Sequence, residues 1–455
     1  MKIPVISTAF LLLLLLLPFA LRPKPTVRDA KEVLVVISVN PEEVRYEYSE
    51  GFSRWMKKNY NRSVRVEWVD LGGTSSTLRF IRSEVKSNVG RGSSGGNYDA
   101  LFGGGDLSHA KLASPNCVMV GDTRYRCLQP YKPKSSVLAG LPTDLNGIRL
   151  YDPEGYWYGT ALSGFGIVCN RRVLSFIKTP MPSTWEDLAS PAFFSWVGSG
   201  DPRQSGSSHM VYELILQSMG WEQGWHTVMR IGANTRVFSR HGSGVSQDVA
   251  LGEVACGLTI DYYAGSIIKN IGPQIAFVLP RDKTVVNPDP VSILAGAPHP
   301  ELARLFVDYT LTQGQYLRYR PLGHPKGPVK KSTPVMPIKK QVYEEGGPAT
   351  IALNPYDFQS SFRYNSRLGS LRWQVINDLL GAALMENHGL LIRVTRKWRR
   401  GELSREQWAK LTMPPLSEAA LTSAAKAIEI HGQSKRTAFR TKWFRHFYDL
   451  YRSML

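Results

Sequence analysis

The sequence predicts an α/β protein of two lobes, each a mainly parallel sheet flanked by helices. Apolar, strand-like runs alternate with amphipathic helical segments, which is typical of parallel strands joined by crossover helices. Two extended stretches, "YGTALSGFGIVCN" and "PRDKTVVNPDP", carry the chain from one set of elements to the other and back. A length of 455 residues is also too great for one small core and suits two or three domains.

The first lobe begins with "EVLVVISV", whose continuous apolar character indicates a buried parallel strand. Asn40 and Pro41 then predict the start of a helix, with Asn40 as its cap. The runs "VRVEWVDLGG" and "YDALFGGGD" follow, and each ends in glycines before a helix. Ligands of such sheets bind beyond the carboxyl ends of the strands. The ligand-binding residues predicted at these ends are Thr74, Ser75, Gly105 and Asp106.

The second lobe repeats the pattern of strand, polar loop and helix in "FSWVGSGDPRQSGSSHMVYELILQSMG" and "TRVFSRHGSGVSQDVALGEV". Helix starts rich in serine and glycine present free backbone N–H groups, which bind anions. Ordinary helix capping is the alternative role for each such loop. The ligand-binding residues predicted from these loops are Ser205, Gly206, Ser207 and Ser243. Asn287 and Asp289, on the return crossover, are secondary candidates for a role in the hinge or in the cleft.

Two adjacent tyrosines, Tyr262 and Tyr263, follow the apolar run in "GEVACGLTIDYYAG". Neighbouring side chains of a strand point to opposite faces. Both phenols therefore serve one site only if the strand ends before them. We predict that they border the ligand cleft, and the alternative is that both are aromatic residues of the core and hinge.

The net charge of +19 is concentrated towards the C-terminus, where residues 391–455 contain 14 Lys and Arg against 5 Asp and Glu. No nucleic-acid-binding motif accompanies this charge, so we expect no nucleic-acid partner. An anionic ligand, an anionic partner or a membrane surface suits it better. An apolar stripe in the same segment is predicted to pack on the first lobe, with membrane-surface contact as the alternative. Its residues are Phe439, Trp443, Phe447, Leu450 and Met454.

Residues 1–30 contain seven consecutive leucines and predict a signal peptide or an uncleaved N-terminal membrane anchor. We therefore expect an exported protein. Four cysteines fit an oxidising compartment. We predict the disulfides Cys117–Cys127 and Cys169–Cys256, with four buried thiols as the alternative.

Four stretches resemble, in order, the periplasmic solute-binding proteins of ABC importers, in the branch with ferric-ion-, phosphonate- and sugar-phosphate-binding members. They are "PSTWEDLASP", "GDPRQSGSSHMVYELILQ", "SQDVALGEVACGLTIDYYA" and "TVVNPDPVSILAGAPHPELARLFVDYTLT". The resemblance, over residues 32–365, implies a type II periplasmic-binding-protein fold with two hinge crossovers. It also implies an inner-membrane permease as partner, no cofactor and no catalysis, and we expect a monomer. The predicted domains are 31–165 and 283–370 for lobe 1, 166–282 for lobe 2, and 371–455 for a basic helical C-terminal extension.

The resemblance also implies a ferric alternative, in which Tyr262 and Tyr263 supply phenolate ligands to Fe³⁺ as cargo. The segment Ser205–Ser207 would then hold the synergistic anion. The first lobe departs from that pattern, because Asn40 to Glu42 stand where ferric-binding relatives often have a histidine. Gly103 to Gly105 stand where those relatives have a glutamate. This departure favours a phosphate- or carboxylate-bearing organic molecule as the ligand.

The sequence thus predicts the solute-binding component of an ABC importer that captures a small anionic solute. A ferric-ion-binding protein is one alternative, and a sensory or adaptor receptor with the same fold is another. An enzyme is the weakest reading, since no Gly-x-Ser-x-Gly, Walker or His-Glu-x-x-His motif occurs. His209 is interpreted as a capping-loop histidine rather than as a general base.

Overall fold

The computed structural model describes residues 32–92, 96–351, 353–357 and 361–455, so the predicted leader lies outside the described residues. Strands and helices alternate along the first two thirds of the chain, and the remainder is mainly helical. The strands are β1 Glu32–Ser38, β2 Val64–Val69, β3 Ala100–Phe102, β4 Val118–Val120, β5 Thr123–Tyr125, β6 Leu128–Gln129, β7 Asp144–Leu145, β8 Ile148–Arg149, β9 Tyr158–Asn170, β10 Val197–Gly200, β11 Thr235–Ser239, β12 Cys256–Ile260, β13 Ile275–Val278, β14 Val286–Leu294 and β15 Met336–Pro337.

The helices connect these strands and form the C-terminal part of the molecule. Short 3₁₀ turns lie at Glu186–Ala189 and Pro191–Phe193, and a π-helical turn lies at Gly381–Met385. The α-helices are α1 Glu42–Tyr60, α2 Thr74–Gly90, α3 Asp106–Ala113, α4 Ser135–Leu138, α5 Arg171–Phe176, α6 Gly206–Ser218, α7 Trp221–Asn234, α8 Gly242–Ala250, α9 Asp261–Ile271, α10 Pro300–Thr310, α11 Gly314–Leu317, α12 Lys340–Glu344, α13 Ser366–Leu380, α14 His388–Arg399, α15 Arg405–Thr412 and α16 Glu418–Arg452.

The first lobe is built on β1, which pairs in parallel with β2 and β3. Its apolar residues Leu34, Val36 and Ile37 are fully buried, as the continuous apolar run predicts. Helix α1 begins one residue later than the sequence suggests, because Pro41 rather than Asn40 is the N-cap. The Asn40 side chain instead donates a hydrogen bond to the carbonyl oxygen of Phe102 at 3.3 Å, which ties the end of β1 to the end of β3.

The second lobe has the same construction around β10, which pairs in parallel with β11 and β12. Two long strands join the lobes. β9 pairs with β12 in the second lobe, while β14 pairs with β3 in the first, and β9 and β14 run antiparallel to each other from Val286↔Gly164 to Val291↔Tyr158. The two predicted sheets are therefore continuous, in the order β11-β10-β12-β9-β14-β3-β1-β2. β9 also pairs with β13, and Gly166 permits this close approach, because a Cβ atom there would lie 2.3 Å from the Val278 carbonyl oxygen.

The C-terminal helices pack on the second lobe. Trp443, Phe447 and Tyr451 of α16 are buried, and the Phe447 ring lies 6.3 Å from that of Trp225 in α7. The prediction that this stripe packs on the first lobe is therefore wrong. Its residues join the same hydrophobic core as α6 and α7, because the indoles of α7 offer a large apolar surface. No helix in the described ranges is long and apolar enough to span a bilayer.

The four cysteines lie in two buried pairs, as predicted, but the structure holds all four as free thiols. The sulfur atoms are 3.0 Å apart in Cys117 and Cys127 and 3.4 Å apart in Cys169 and Cys256. The second pair is cross-strand, since Cys169 of β9 stands opposite Cys256 of β12. Each cysteine therefore lies beside its predicted partner, and the two covalent bridges stay a prediction. The predicted domain boundaries also stay a prediction.

Candidate functional site

A cleft of about 380 Å³ lies between the two lobes, at the carboxyl ends of the parallel strands. Contacts between the lobes narrow its mouth. Ser75 Oγ of the first lobe donates a hydrogen bond to the carbonyl oxygen of Arg203 in the second at 3.4 Å. Gly73 approaches Gln204 so closely that an added Cβ would lie 3.0 Å from the Gln204 carbonyl oxygen. The lobes therefore stand in a closed arrangement.

Nine of the ten predicted site residues line this cleft. Ser75 is the exception, and its hydroxyl serves the contact between the lobes. The secondary candidates Asn287 and Asp289 also line the cleft. The nine lining residues are Thr74, Gly105, Asp106, Ser205, Gly206, Ser207, Ser243, Tyr262 and Tyr263.

Six helices of the described part of the chain begin at the cleft, namely α1, α2, α3, α6, α8 and α9, and their N-cap residues all line it. The first N–H groups of a helix lack partners within the helix, and the helix dipole makes that end electropositive. Ser205 shows the ordinary capping role as well, because its hydroxyl accepts a hydrogen bond from the Ser208 N–H at 3.3 Å. Six helix starts around one cavity favour a negatively charged ligand.

The glycine run Gly103–Gly105 shapes the first-lobe wall of the cleft. All three residues have positive φ angles, of 93°, 103° and 76°, a backbone conformation that side chains disfavour. The turn brings the Gly104 N–H to the Asp289 carboxylate, which accepts its hydrogen bond at 2.9 Å. Backbone groups therefore form this part of the wall.

Arg318 is the buried cation of the cleft, and it was not predicted from the sequence. Its side chain is 4% exposed and lines the cavity, yet its Nε and Nη1 atoms make no hydrogen bond to any residue in the described part of the chain. The nearest carboxylate oxygen, on Asp289, lies 3.7 Å from Nη1. Nothing in the sequence distinguishes Arg318 from the other 55 lysines and arginines, since its position depends on a distant segment folding back to β14.

The cleft also has three carboxylates, each of which has a partner. Asp106 accepts a hydrogen bond from Asn287 at 2.7 Å, and burial raises the pKa of its carboxyl to about 6. Asp70 forms an ion pair with Arg45 at 3.1 Å. Asp289 is held by the Gly104 N–H and faces Arg318. Among the charged side chains of the cleft in the described ranges, Arg318 is therefore the one whose buried hydrogen-bond donors have no partner.

The two tyrosines share the cleft because β12 ends at Ile260 and α9 begins at Asp261. Tyr262 and Tyr263 occupy the first turn of the helix, with ring centroids 5.5 Å apart. Burial raises the pKa of Tyr263 to about 12 and that of Tyr262 higher still. Both groups are thus neutral phenols, able to donate a hydrogen bond to an anion. Within residues 32–92, 96–351, 353–357 and 361–455, no group of three or more His, Cys, Asp and Glu is placed to hold a metal ion.

His209 does not line the cleft. It lies in the first turn of α6, is fully buried, and shares a hydrogen bond of 2.6 Å with Asn377. Burial lowers the pKa of its imidazole to about 3. His209 is therefore a neutral structural residue rather than a general base. It lies in helix α6, however, and not in the capping loop where the sequence places it. Its ring stacks on Trp373, a second cleft residue that was not predicted from the sequence.

Comparison with known proteins agrees with this architecture. Residues 124–318 match the family model of bacterial extracellular solute-binding proteins. This part of the chain is therefore similar to extracellular solute-binding proteins, and the family resemblance predicted from the sequence is confirmed. This family and fold are those of transport-binding proteins.

Curated relatives match part of the chain. The phosphoglycerate transport regulatory protein PgtC of Salmonella typhimurium is 32% identical over 152 residues, which are 33% of this chain and 38% of PgtC. An uncharacterized protein of Haemophilus influenzae is 29% identical over 160 residues, which are 34% of this chain and 45% of that protein. The chain thus spans less than half the length of these relatives.

Solved structures share the fold. AfuA from Actinobacillus pleuropneumoniae, with fructose-6-phosphate bound, has 20% identity and a TM-score of 0.51, covering 62% of this chain and 80% of AfuA. Iron-bound HitA from Pseudomonas aeruginosa has 17% identity and a TM-score of 0.54, covering 73% of this chain and 93% of HitA. The predicted fold class, a type II periplasmic-binding-protein fold with C-terminal helices, is confirmed.

Proposed function

We propose that the protein is the solute-binding component of an ABC importer and that its ligand is a small organic anion bearing phosphate or carboxylate. The anion binds between the lobes and is delivered to an inner-membrane permease. The protein works in the periplasm or cell envelope, as a monomer without a cofactor. The observation that carries the proposal is Arg318, a buried cation on the wall of a cleft where six helices begin, whose Nε and Nη1 donors have no partner in the described part of the chain.

The arginine and the helix starts act together. A guanidinium offers two parallel N–H donors to the oxygens of a phosphate or carboxylate. The helix starts offer further backbone N–H groups without the cost of ordering long side chains. Because these groups come from both lobes, one anion stabilises the closed arrangement over the open one.

Ferric ion is the alternative cargo, supported by the two tyrosines and by the likeness to iron-bound HitA. Two features favour the organic anion. The Arg318 guanidinium carbon lies 5.1 Å from the Tyr262 ring centroid, where its charge opposes a trivalent cation. Burial keeps both phenols protonated, so iron would first have to displace their protons.

A receptor that reports solute rather than importing it is the second alternative, since PgtC is named as a transport regulatory protein. An importer component and a receptor would bind the same solute but contact different partner proteins. Cross-linking in intact cells separates them, because an importer component is captured with a permease and a receptor with a signalling protein.

Thermal melting of the purified chain with single ligands tests the proposal. The panel is inorganic phosphate, fructose 6-phosphate, 3-phosphoglycerate, citrate and ferric citrate. A ligand at a hundred times its dissociation constant adds about 2.7 kcal/mol to the free energy of unfolding. We expect at least one organic anion to raise the melting temperature by several degrees without iron. A rise with ferric citrate alone would contradict the proposal and support the iron alternative.

A further inference from the structure

Trp373 belongs to the predicted C-terminal extension, yet it lines the cleft between the lobes. It lies in the middle of α13 (Ser366–Leu380), well beyond the stretch that matches the solute-binding family. Its ring atom Cη2 lies 3.9 Å from the position that a Cβ atom would occupy on Gly206, at the start of α6. The edge of the indole therefore stands beside one of the helix starts that face the ligand.

The extension holds Trp373 firmly against the second lobe. Arg372, its neighbour in the chain, is fully buried and forms an ion pair with the fully buried Glu213 of α6 at 2.9 Å. One turn further along α13, Asn377 shares a hydrogen bond with His209. The His209 ring stacks on the indole with a centroid distance of 3.6 Å. Helix α13 and the ligand-facing start of α6 thus move as one body.

Trp373 also contacts the first lobe. The Nζ atom of Lys111, in α3, lies 4.1 Å from the centroid of the indole, which is cation–π geometry. Helix α3 packs on the crossover strand β14 and on α2, both on the first-lobe side of the cleft. The indole is therefore a point of contact between a helix of one lobe and a segment fixed to the other. Rotation of the lobes apart about β9 and β14 would break this contact.

We propose that the C-terminal extension completes the ligand site: Trp373 covers the carbon skeleton of the bound solute and contacts Lys111 when the lobes close. The claim that Trp373 covers the solute rests on the proposed function. The claim that Trp373 contacts Lys111 across the lobes does not depend on it. Phosphate oxygens are bound by Arg318 and the helix starts, whereas an indole edge offers apolar surface. Trp373 is thus a residue that favours organic anions over inorganic phosphate.

Calorimetric titration of the full chain with fructose 6-phosphate and with inorganic phosphate tests the role in binding. We expect Trp373→Ala to weaken sugar phosphate binding by about tenfold, since about 1.4 kcal/mol of apolar contact is lost. Inorganic phosphate affinity stays within about twofold of the wild type, because phosphate has no carbon skeleton to contact. Trp373→Phe restores most of the sugar phosphate affinity. Trp408→Ala, in the same extension and outside the cleft, leaves both affinities unchanged. Equal weakening for both ligands, or none for either, would overturn this role.

A measurement without ligand tests the contact between the lobes. Burial and the neighbouring Arg82 lower the pKa of Lys111 to about 7, so its amine is mostly neutral at pH 8 and reacts with an acylating reagent that reaches it. We expect Trp373→Ala to increase the rate of Lys111 acylation severalfold, measured by mass spectrometry against the exposed Lys410 of the same chain. An unchanged rate would overturn the contact. If the wild type binds none of fructose 6-phosphate, 3-phosphoglycerate and citrate, the proposed function fails and the role in binding fails with it. In that case the rate of Lys111 acylation still tests whether the C-terminal extension contacts the first lobe through Trp373.

Discussion

The Arg318 guanidinium carbon lies 5.1 Å from the centroid of the Tyr262 ring, on the wall of the cleft between the lobes. This pairing defines the chemistry of the site. A guanidinium over a phenol is a favourable cation–π contact, and it leaves the N–H edge of the arginine free to bind oxygen atoms. It also gives the neighbourhood of both phenols a positive charge. The site is therefore suited to an anion, with the tyrosines as neutral donors and apolar walls.

The tyrosines serve different roles in the two accounts of the ligand. If they are neutral donors, Tyr262→Phe and Tyr263→Phe each remove one hydrogen bond and weaken organic anion binding by about 3- to 10-fold. Addition of ferric citrate to the wild type then produces no visible absorption from tyrosinate-bound iron. A visible band in the wild type that is absent from the double Tyr→Phe variant would contradict this account.

Asp106 makes the stability of the protein depend on pH. Burial raises the pKa of its carboxyl to about 6 in the folded protein, above its unfolded value near 3.8. The folded state therefore binds this proton more tightly, and the stabilisation present below pH 4 is lost as the pH rises through 6. Asp106→Asn removes the buried charge and retains an oxygen that accepts from Asn287. We expect this variant to be more stable than the wild type by about 1–3 kcal/mol at pH 7 and by much less at pH 4.

Denaturant unfolding at the two pH values measures this difference. Asp70→Asn, at a half-exposed carboxylate on the same cleft, is the control and shows no comparable gain. A wild type that is more stable than Asp106→Asn at pH 7 would show that the ionised carboxylate is stabilising.

The Arg372–Glu213 pair fastens the extension to the second lobe. Both side chains are fully buried, and Arg372 also pairs with Glu418 at 2.5 Å, so neutralising Glu213 removes one of the two charges that compensate the arginine. We expect Glu213→Gln to lower the free energy of unfolding by about 1–3 kcal/mol and to expose the α13 region to protease. The exposed pair Arg400–Glu402 supplies the control, and Glu402→Gln has no measurable effect. Protease resistance equal to that of the wild type in Glu213→Gln would show that other contacts dock the extension.

The cysteine pairs are expected to be oxidised in the exported protein. Cys117 and Cys127 close a short loop, and Cys169 and Cys256 join neighbouring strands, with sulfur separations of 3.0 and 3.4 Å as thiols. Peptide mapping without reductant is expected to recover both linked peptide pairs. Alkylation of all four thiols in protein isolated from the cell envelope would contradict the prediction.

The local sequence pattern was sufficient to predict those features that depend on residues close together in the sequence. The alternation of strand, small-residue loop and helix predicts where the helices start, and so places Thr74, Gly105, Ser205 and Ser243 at one cleft. Features that depend on distant segments were missed. Arg318 and Trp373 reach the cleft from beyond the second crossover, and the apolar stripe of α16 carries no signal for which lobe it covers. Ser75 shows what the pattern does not predict. It follows Thr74 in the same helix, but its side chain contacts the second lobe and does not line the cleft.

Calorimetric titration of Arg318→Met with the organic anion that stabilises the wild type tests the central claim most directly. Methionine keeps the length and apolar contacts of the side chain and removes the charge. The account predicts a loss of affinity of about 10- to 100-fold, the value of a charged hydrogen-bonding group. Arg149→Met, at an exposed arginine outside the cleft, retains wild-type affinity. Undiminished binding by Arg318→Met would contradict the claim that this cleft recognises an anion through its buried arginine.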